Sequence, residues 1–285
     1  MTEQEEWITS RDNVPIYTKT WKTVKSPIAT IVFVHGFGEN IKRYDYVFSR
    51  FSKMNIEVYA YDQRGNGETA LRNKNPGITG GFEVLTGDVT DALVAKRKPG
   101  IPQFLMGHSE IVFNYACVGP EKDNLCGYII CSPFFQQGDK TKKPAFLTFT
   151  VVALSKVIPN LTIPVNLDPK YLSHDPEIVK SYVEDPLNNG VGSLETHMAT
   201  VPKFLVNNKK YEDITLPIYF SHGSEDHITS PTASKEIFEK ITVNDKTYRE
   251  WKGLYHELHN EYEKDQVIDE YIKWIIDHVA NKTTN

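Results

Sequence analysis

The chain has 285 residues, of which 40% are hydrophobic and 24% charged, an ordinary balance for a globular protein with room for one large domain and a sizeable insertion. A formal net charge of −5 and the lack of a dense Lys/Arg block exclude the usual profile of a nucleic-acid binder. No stretch approaches ~18 uninterrupted apolar residues, so no membrane-spanning helix is expected, and the acidic, polar start MTEQEEWITSRDN reads as neither a secretory nor a transit leader.

The first element, EEWITSRDNVPIYTKTW, alternates around RDNV and reads as an antiparallel hairpin. IATIVFVHG (28–36) is rich in β-branched residues and ends in glycine, the pattern of a buried strand. RYDYVFSRFSKM then gathers Tyr44, Val47, Phe48 and Phe51 on one helical face. Strand IEVYAYDQRG follows, then a helix in DVTDALVAKRK that is short for a crossover, and strand PQFLMGHS. LCGYIICSP, LPIYFSHGSED and KTYREWKG supply further strands, and NEYEKDQVIDEYIKWIIDHVAN a last helix. This alternation predicts an α/β fold with a mostly parallel central sheet flanked by helices. Between Pro133 and Leu216 it fails, and prolines, aromatics and short amphipathic pieces predict a mainly helical insertion at 134–215. The expected division is therefore a core of 1–133 and 216–285 with a cap at 134–215. Cys117, Cys126 and Cys131 lie in apolar stretches, and an odd count without a leader predicts reduced, buried thiols in an intracellular protein. The sequons at Asn160 and Asn281 then carry little weight.

Ligands of parallel α/β sheets gather at the carboxyl ends of the strands. His35, Gly36, Ser109, Asp226 and His256 all follow predicted strands. A hydroxyl, a carboxylate and an imidazole in the order Ser, Asp, His suit nucleophilic acyl transfer on the α/β-hydrolase fold. Glu225 competes with Asp226, and His259 with His256. HELH is one residue short of the H-E-x-x-H zinc spacing, so no metal is expected, and RGNGET lacks the spacing of a dinucleotide site. No cofactor is expected. Asp62, Arg64 and Gly65 in DQRGNGET read as a loop brace.

The chain resembles the monoacylglycerol lipase family of α/β-hydrolases, its fungal members most, through FVHGFGEN, YAYDQRGNGET, GIPQFLMGHS, GYIICSP, LSHDPEIVKSYVEDPL, SHGSEDHIT and GLYHELHNE. The resemblance implies a serine hydrolase that cleaves monoacylglycerol to fatty acid and glycerol through an acyl-enzyme. Ser109 would be the nucleophile, His256 the base and acid, Asp226 the orienting carboxylate, and the backbone N–H groups of Phe37 and Glu110 the oxyanion hole. His35 and Gly36 would shape the substrate-facing loop, and Phe134, Phe146 and Phe149 would belong to an acyl-chain pocket. A role in triacylglycerol degradation, with a cytoplasmic location and peripheral attachment to membranes or lipid droplets, is the corresponding expectation.

One stretch departs from the family pattern. The family resembles G-H-S-M-G-G-G before a helix, whereas this chain reads Gly107-His108-Ser109-Glu110-Ile111 and then VFNYAC. Matching NYAC implies three absent residues, a change that turns the helix by ~300° and shortens it by ~4.5 Å. Glycines near the nucleophile allow helix and strand to approach without a Cβ clash, and Ile111 places a branched side chain there. The alternative expectation is thus a catalytically impaired hydrolase fold acting as a lipid-binding or interaction module.

Overall fold

The computed structural model describes residues 2–108, 111–141, 150–151, 153–165, 167–199 and 210–283. Ser109, Glu110, Phe146 and Phe149 lie outside the described residues.

Strands β1 (Thr2–Thr9) and β2 (Pro15–Lys22) form the hairpin, with Thr9 opposite Pro15. Asn13 turns its corner at φ 64°, a left-handed conformation that asparagine tolerates, and Ser10 closes the turn onto Val14. The parallel strands are β3 (Ala29–Val34), β4 (Ile56–Tyr61), β5 (Gln103–His108), β6 (Tyr128–Cys131), β9 (Ile218–Gly223) and β10 (Lys246–Trp251). β2 joins this array antiparallel to β4, which gives one eight-stranded sheet in the order β1-β2-β4-β3-β5-β6-β9-β10. The molecule has the α/β-hydrolase fold.

All six residues of β3 are buried, as expected of a strand covered on both faces. Their side chains alternate between two cores. Ile31 and Phe33, with Phe104, Met106 and Ile129 of neighbouring strands, pack against helices α1 (Asp45–Lys53) and α8 (Lys264–Thr283). Val32 and Val34, with Leu105, Ile130 and Phe220, meet α3 (Gly81–Lys96), α4 (Ile111–Val118) and α7 (Pro231–Lys240). The predicted face of α1 is the buried one: Val47, Phe48 and Phe51 are inside, and Phe48 meets Trp21 and Phe33 with ring centroids 4.9 and 4.7 Å apart.

Helix α3 differs from its expectation. It begins at Gly81 and spans 16 residues, so it is a full crossover. Gly80 and Gly81, at φ 80° and 83°, make the entry turn, and no side chain caps it. The missing cap is why the start does not stand out in the sequence.

Among the described residues between β6 and β9, no strand joins the large sheet. This segment holds a separate pair, β7 (Thr162–Pro164) with β8 (Val191–Ser193), and helices α5 (Pro176–Glu184) and α6 (Leu194–Ala199). Asp175 caps α5 by accepting from the Glu177 N–H, and Pro176 stands at its first position. The paired strands were not expected from the helical pieces there. The remaining helix, α2 (Gly67–Asn73), follows β4. Its start is braced by Asp62, which accepts from the N–H groups of Glu68 and Ile41, while Arg64 pairs with Asp12 and Asp88. Cys117, Cys126 and Cys131 are buried and none of them forms a disulfide among the described residues.

Candidate active site

The turn after β9 carries Asp226 and is stitched to the segment after β10 that carries His256. Ser224 N–H donates to the Trp251 carbonyl at 2.9 Å and Glu225 N–H to that of Leu254 at 3.1 Å. The segments run so close that a Cβ on Gly223 would meet the carbonyl oxygens of Leu254 and Tyr255 at 2.3 Å. Asp226 is buried and Glu225 exposed, which separates the two neighbouring carboxylates.

Asp226 Oδ2 accepts from His256 Nδ1 at 2.7 Å, from Thr229 Oγ1 at 2.8 Å and from His222 Nε2 at 3.0 Å. Its Oδ1 accepts from the N–H groups of Ile228 and Thr229 at 2.8 and 2.9 Å. Burial pushes this carboxyl up, but the charge of His256 and the bonds from His222 and His256 outweigh it and hold the group well below the usual carboxylate range. For His256 burial disfavours the charged ring, yet the Asp226 carboxylate outweighs it and raises its proton affinity. With Nδ1–H committed to Asp226, the neutral ring keeps Nε2 as a proton acceptor.

The third strand end is that of β5. Its last residue, His108, lies beside His256 with the rings tilted by 46° and their centroids 4.6 Å apart, and α4 is described from Ile111. Ile111 is buried within α4 and joins the core on that face of the sheet. His108 Nδ1 lies 3.2 Å from Glu39 Oε1, which also accepts from Tyr44 Oη at 2.7 Å and from the Gly36 N–H. A Cβ on Gly36 would meet both Glu39 Oε1 and His108 Nδ1 at 2.8 Å, so glycine is required for this approach. Arg43 lies against Glu39 and Glu257, making the buried carboxylates part of an ion-paired group. Burial pushes Glu39 up, but His108 and Arg43 reverse that and leave it well below its usual range.

The loop after β3 completes the rim. His35 is buried with both ring nitrogens engaged: Nδ1–H donates to the Gly36 carbonyl at 2.7 Å, and Nε2 accepts from the Gln63 N–H at 2.9 Å. Its ring thus shapes the loop from beneath. Gly36 N–H is held by Glu39 and Gly38 N–H by Asn66 Oδ1 at 3.2 Å, while the Phe37 N–H between them has no partner among the described residues. Phe134, just past β6, is half-buried. His259 is buried away from Asp226, stacked on Tyr44 and edge-on to His108. Among the described residues no group of His, Cys, Asp or Glu is arranged to hold a metal ion.

Sequence reasoning missed His222, Thr229 and the Glu39–His108–Tyr44 group. The first two stand within four residues of Asp226, so their proximity was available; their orientation was not.

Comparison with known proteins places the chain. The hydrolase family model described as "Serine aminopeptidase, S33" matches residues 25–263. The chain belongs to that family. Within it the chain is of the monoacylglycerol lipase type, among the carboxylic ester hydrolases. The crystal structure of Paleococcus ferrophilus monoacylglycerol lipase is 30% identical, covers 92% of this chain and 99% of its own, and superposes with a TM-score of 0.81. Monoacylglycerol lipase of Mycolicibacterium smegmatis is 28% identical over 98% of this chain and 99% of its own length. A soluble variant of Saccharomyces cerevisiae monoglyceride lipase, solved with a substrate analogue, shares the fold at a TM-score of 0.86 and 23% identity, covering 98% of this chain and 96% of its own. Members of this family thus span the core strands and the segment between β6 and β9 alike.

Proposed function

We propose that this protein hydrolyses the ester bond of monoacylglycerols or similar lipid esters through an acyl-enzyme on Ser109. The observation that carries the reading is the buried Asp226–His256 pair, 2.7 Å apart, beside the carboxyl end of β5. In this mechanism His256 Nε2 takes the Ser109 proton as Oγ attacks the ester carbonyl. The tetrahedral oxyanion accepts hydrogen bonds from Phe37 and Glu110 N–H. Collapse expels glycerol, which leaves with the proton held by His256. Water then attacks the acyl-enzyme with His256 again as base, and fatty acid and free Ser109 result. Asp226 stays ionised throughout and supports the imidazolium. The triad requires no cofactor.

Segment 134–215 acts in this reading as a cap, with Phe134, Phe146 and Phe149 towards the acyl chain and His35 and Gly36 behind the oxyanion loop. Exposed Val157, Leu161 and Val183 support contact of this cap with a membrane or lipid-droplet surface. A cytoplasmic, peripheral location and a part in triacylglycerol degradation follow from the same reading. The test is incubation with a fluorophosphonate probe and, separately, with a long-chain monoacylglycerol. Labelling at Ser109 and fatty-acid release, both lost in Ser109→Ala, are expected. Absence of both in a folded protein that still binds lipid would return the reading to a non-catalytic lipid-binding module.

A further inference from the structure

The loop after β3 is fastened from a distant part of the chain. After α5 the residues 185–189 form a tight turn, with Asn188 N–H donating to the Asp185 carbonyl at 3.1 Å and Leu187 N–H to Asp185 Oδ1 at 2.9 Å. This turn lies directly on the loop. Asn189 N–H donates to the Gly38 carbonyl at 3.0 Å. Asn40, fully buried, donates through Nδ2 to Asp185 Oδ2 at 2.8 Å and to Asn188 Oδ1 at 3.0 Å. Gly38 sits at φ 71°, and a Cβ there would meet the Asn189 carbonyl oxygen at 2.5 Å. The packing is therefore backbone on backbone.

Helix α5 itself has no buried residue. An exposed helix normally gains little from anchoring its end so deeply, and the polar atoms used here would otherwise be satisfied by water. What the contact does achieve is the orientation of one group. The peptide units flanking the one that carries the Phe37 N–H are fixed, Gly36 N–H by Glu39 and Gly38 N–H by Asn66, and the next unit along is held by Asn189 at the Gly38 C=O. The Phe37 ring is held from the same side, stacked on His197 at 6.0 Å and touching Gly192 closely enough that a Cβ there would meet its Cζ at 2.7 Å.

We propose that the 185–189 turn is a positioning element for the oxyanion loop: Asp185, acting through Asn40, and Asn189, acting through Gly38, keep the Phe37 N–H aimed at the reacting carbonyl. The inference rests on the reading of Phe37 as an oxyanion donor. It makes the segment between β6 and β9 part of transition-state stabilisation as well as of substrate enclosure. A donor displaced by an ångström loses much of its contribution in the transition state and little in the ground state.

The experiment exchanges the Asn40–Asp185 pair. Asn40→Asp sets two carboxylates against each other while preserving the side-chain oxygen that accepts from Lys42 N–H. Its kcat on a monoacylglycerol is expected to fall about 10- to 100-fold with KM within about threefold. Affinity for an alkyl trifluoromethyl ketone, which adds to Ser109 and carries an oxyanion, should fall in step, while binding of the product fatty acid stays constant. Asn40→Asp combined with Asp185→Asn restores a donor and an acceptor and is expected to recover kcat to within about threefold of the parent. Asp185→Asn alone, which removes charge but not volume, carries the same test if Asn40→Asp unfolds. Turnover by the parent with Asn40→Asp and Asp185→Asn unaltered overturns the inference alone, as does a loss confined to thermal stability or KM. A parent without Ser109-dependent turnover overturns the hydrolase reading and this inference together.

Discussion

Asp226 receives five hydrogen bonds from four residues, two from backbone N–H groups and three from side chains. A carboxylate so fully solvated by protein stays ionised when buried, and this charge is what raises the proton affinity of His256. General-base catalysis needs the neutral ring, so the rate should climb with pH through a midpoint above 6.5, the ordinary value for histidine. Asp226→Asn removes this charge and leaves burial opposed only by the weaker influence of Glu257 and Glu39. The pH profile of kcat/KM should then shift its acidic limb downward, with kcat reduced on the order of 10⁴-fold. An unshifted limb in Asp226→Asn would show that another group controls the titration. The sequence offered two carboxylates and two histidines for these roles. Family register chose among them, and chemistry alone did not, because Glu225 and His259 have the same functional groups. The structure separates each pair: Asp226 is buried and Glu225 exposed, and of the two buried histidines His256 bonds Asp226 whereas His259 packs against Tyr44 and His108.

The strand and helix around the elbow depend on Gly107. A Cβ at this position would meet Val112 Cγ2 at 2.3 Å and the Val34 carbonyl oxygen at 3.0 Å. Helix α4 thus lies on β5 at a distance only glycine allows, the close approach that the glycine-poor sequence placed in doubt. Ile111 does not prevent it, because its side chain is absorbed by the core. Gly107→Ala should cost about 1–3 kcal/mol by overpacking and lower Tm by roughly 3–10 °C. Since the nearest atom belongs to a side chain, Val112→Ala should relieve part of this. The double variant is expected to be more stable than the summed single losses by about 1 kcal/mol or more, measured by denaturant unfolding; strict additivity would mean that the two residues do not compete for space. Elements with strong periodicity, such as α1 and β3, were legible because one buried face or full burial leaves a plain pattern. The start of α3 and the β7–β8 pair were not. Glycine rather than a capping side chain opens the former, and three-residue strands such as β7 are too short to show alternation.

At the scale of the whole molecule, apolar surface is unevenly distributed. Single exposed apolar residues are normal on any protein, but Leu154, Val157, Ile158 and Leu161 are 41%, 77%, 42% and 48% exposed within one short segment, and Val183 of α5 is 64% exposed. All five lie between β6 and β9. None of the described helices is long and apolar enough to cross a membrane, so these residues suit insertion at an interface and not passage through it. Such a surface would deliver a substrate that itself resides in lipid. In flotation with phospholipid vesicles containing monoacylglycerol, a measurable fraction of the protein should rise with the vesicles. Charging the segment with Val157→Glu and Leu161→Glu removes roughly 2 kcal/mol or more of apolar burial, a loss of at least about 10-fold in the bound-to-free ratio. Hydrolysis of a short, water-soluble ester should be unaffected, because neither residue touches Asp226 or His256. A parent protein that stays wholly in the aqueous fraction would remove the interfacial role, and equal losses on soluble and vesicle-borne esters would place the effect in folding instead of delivery.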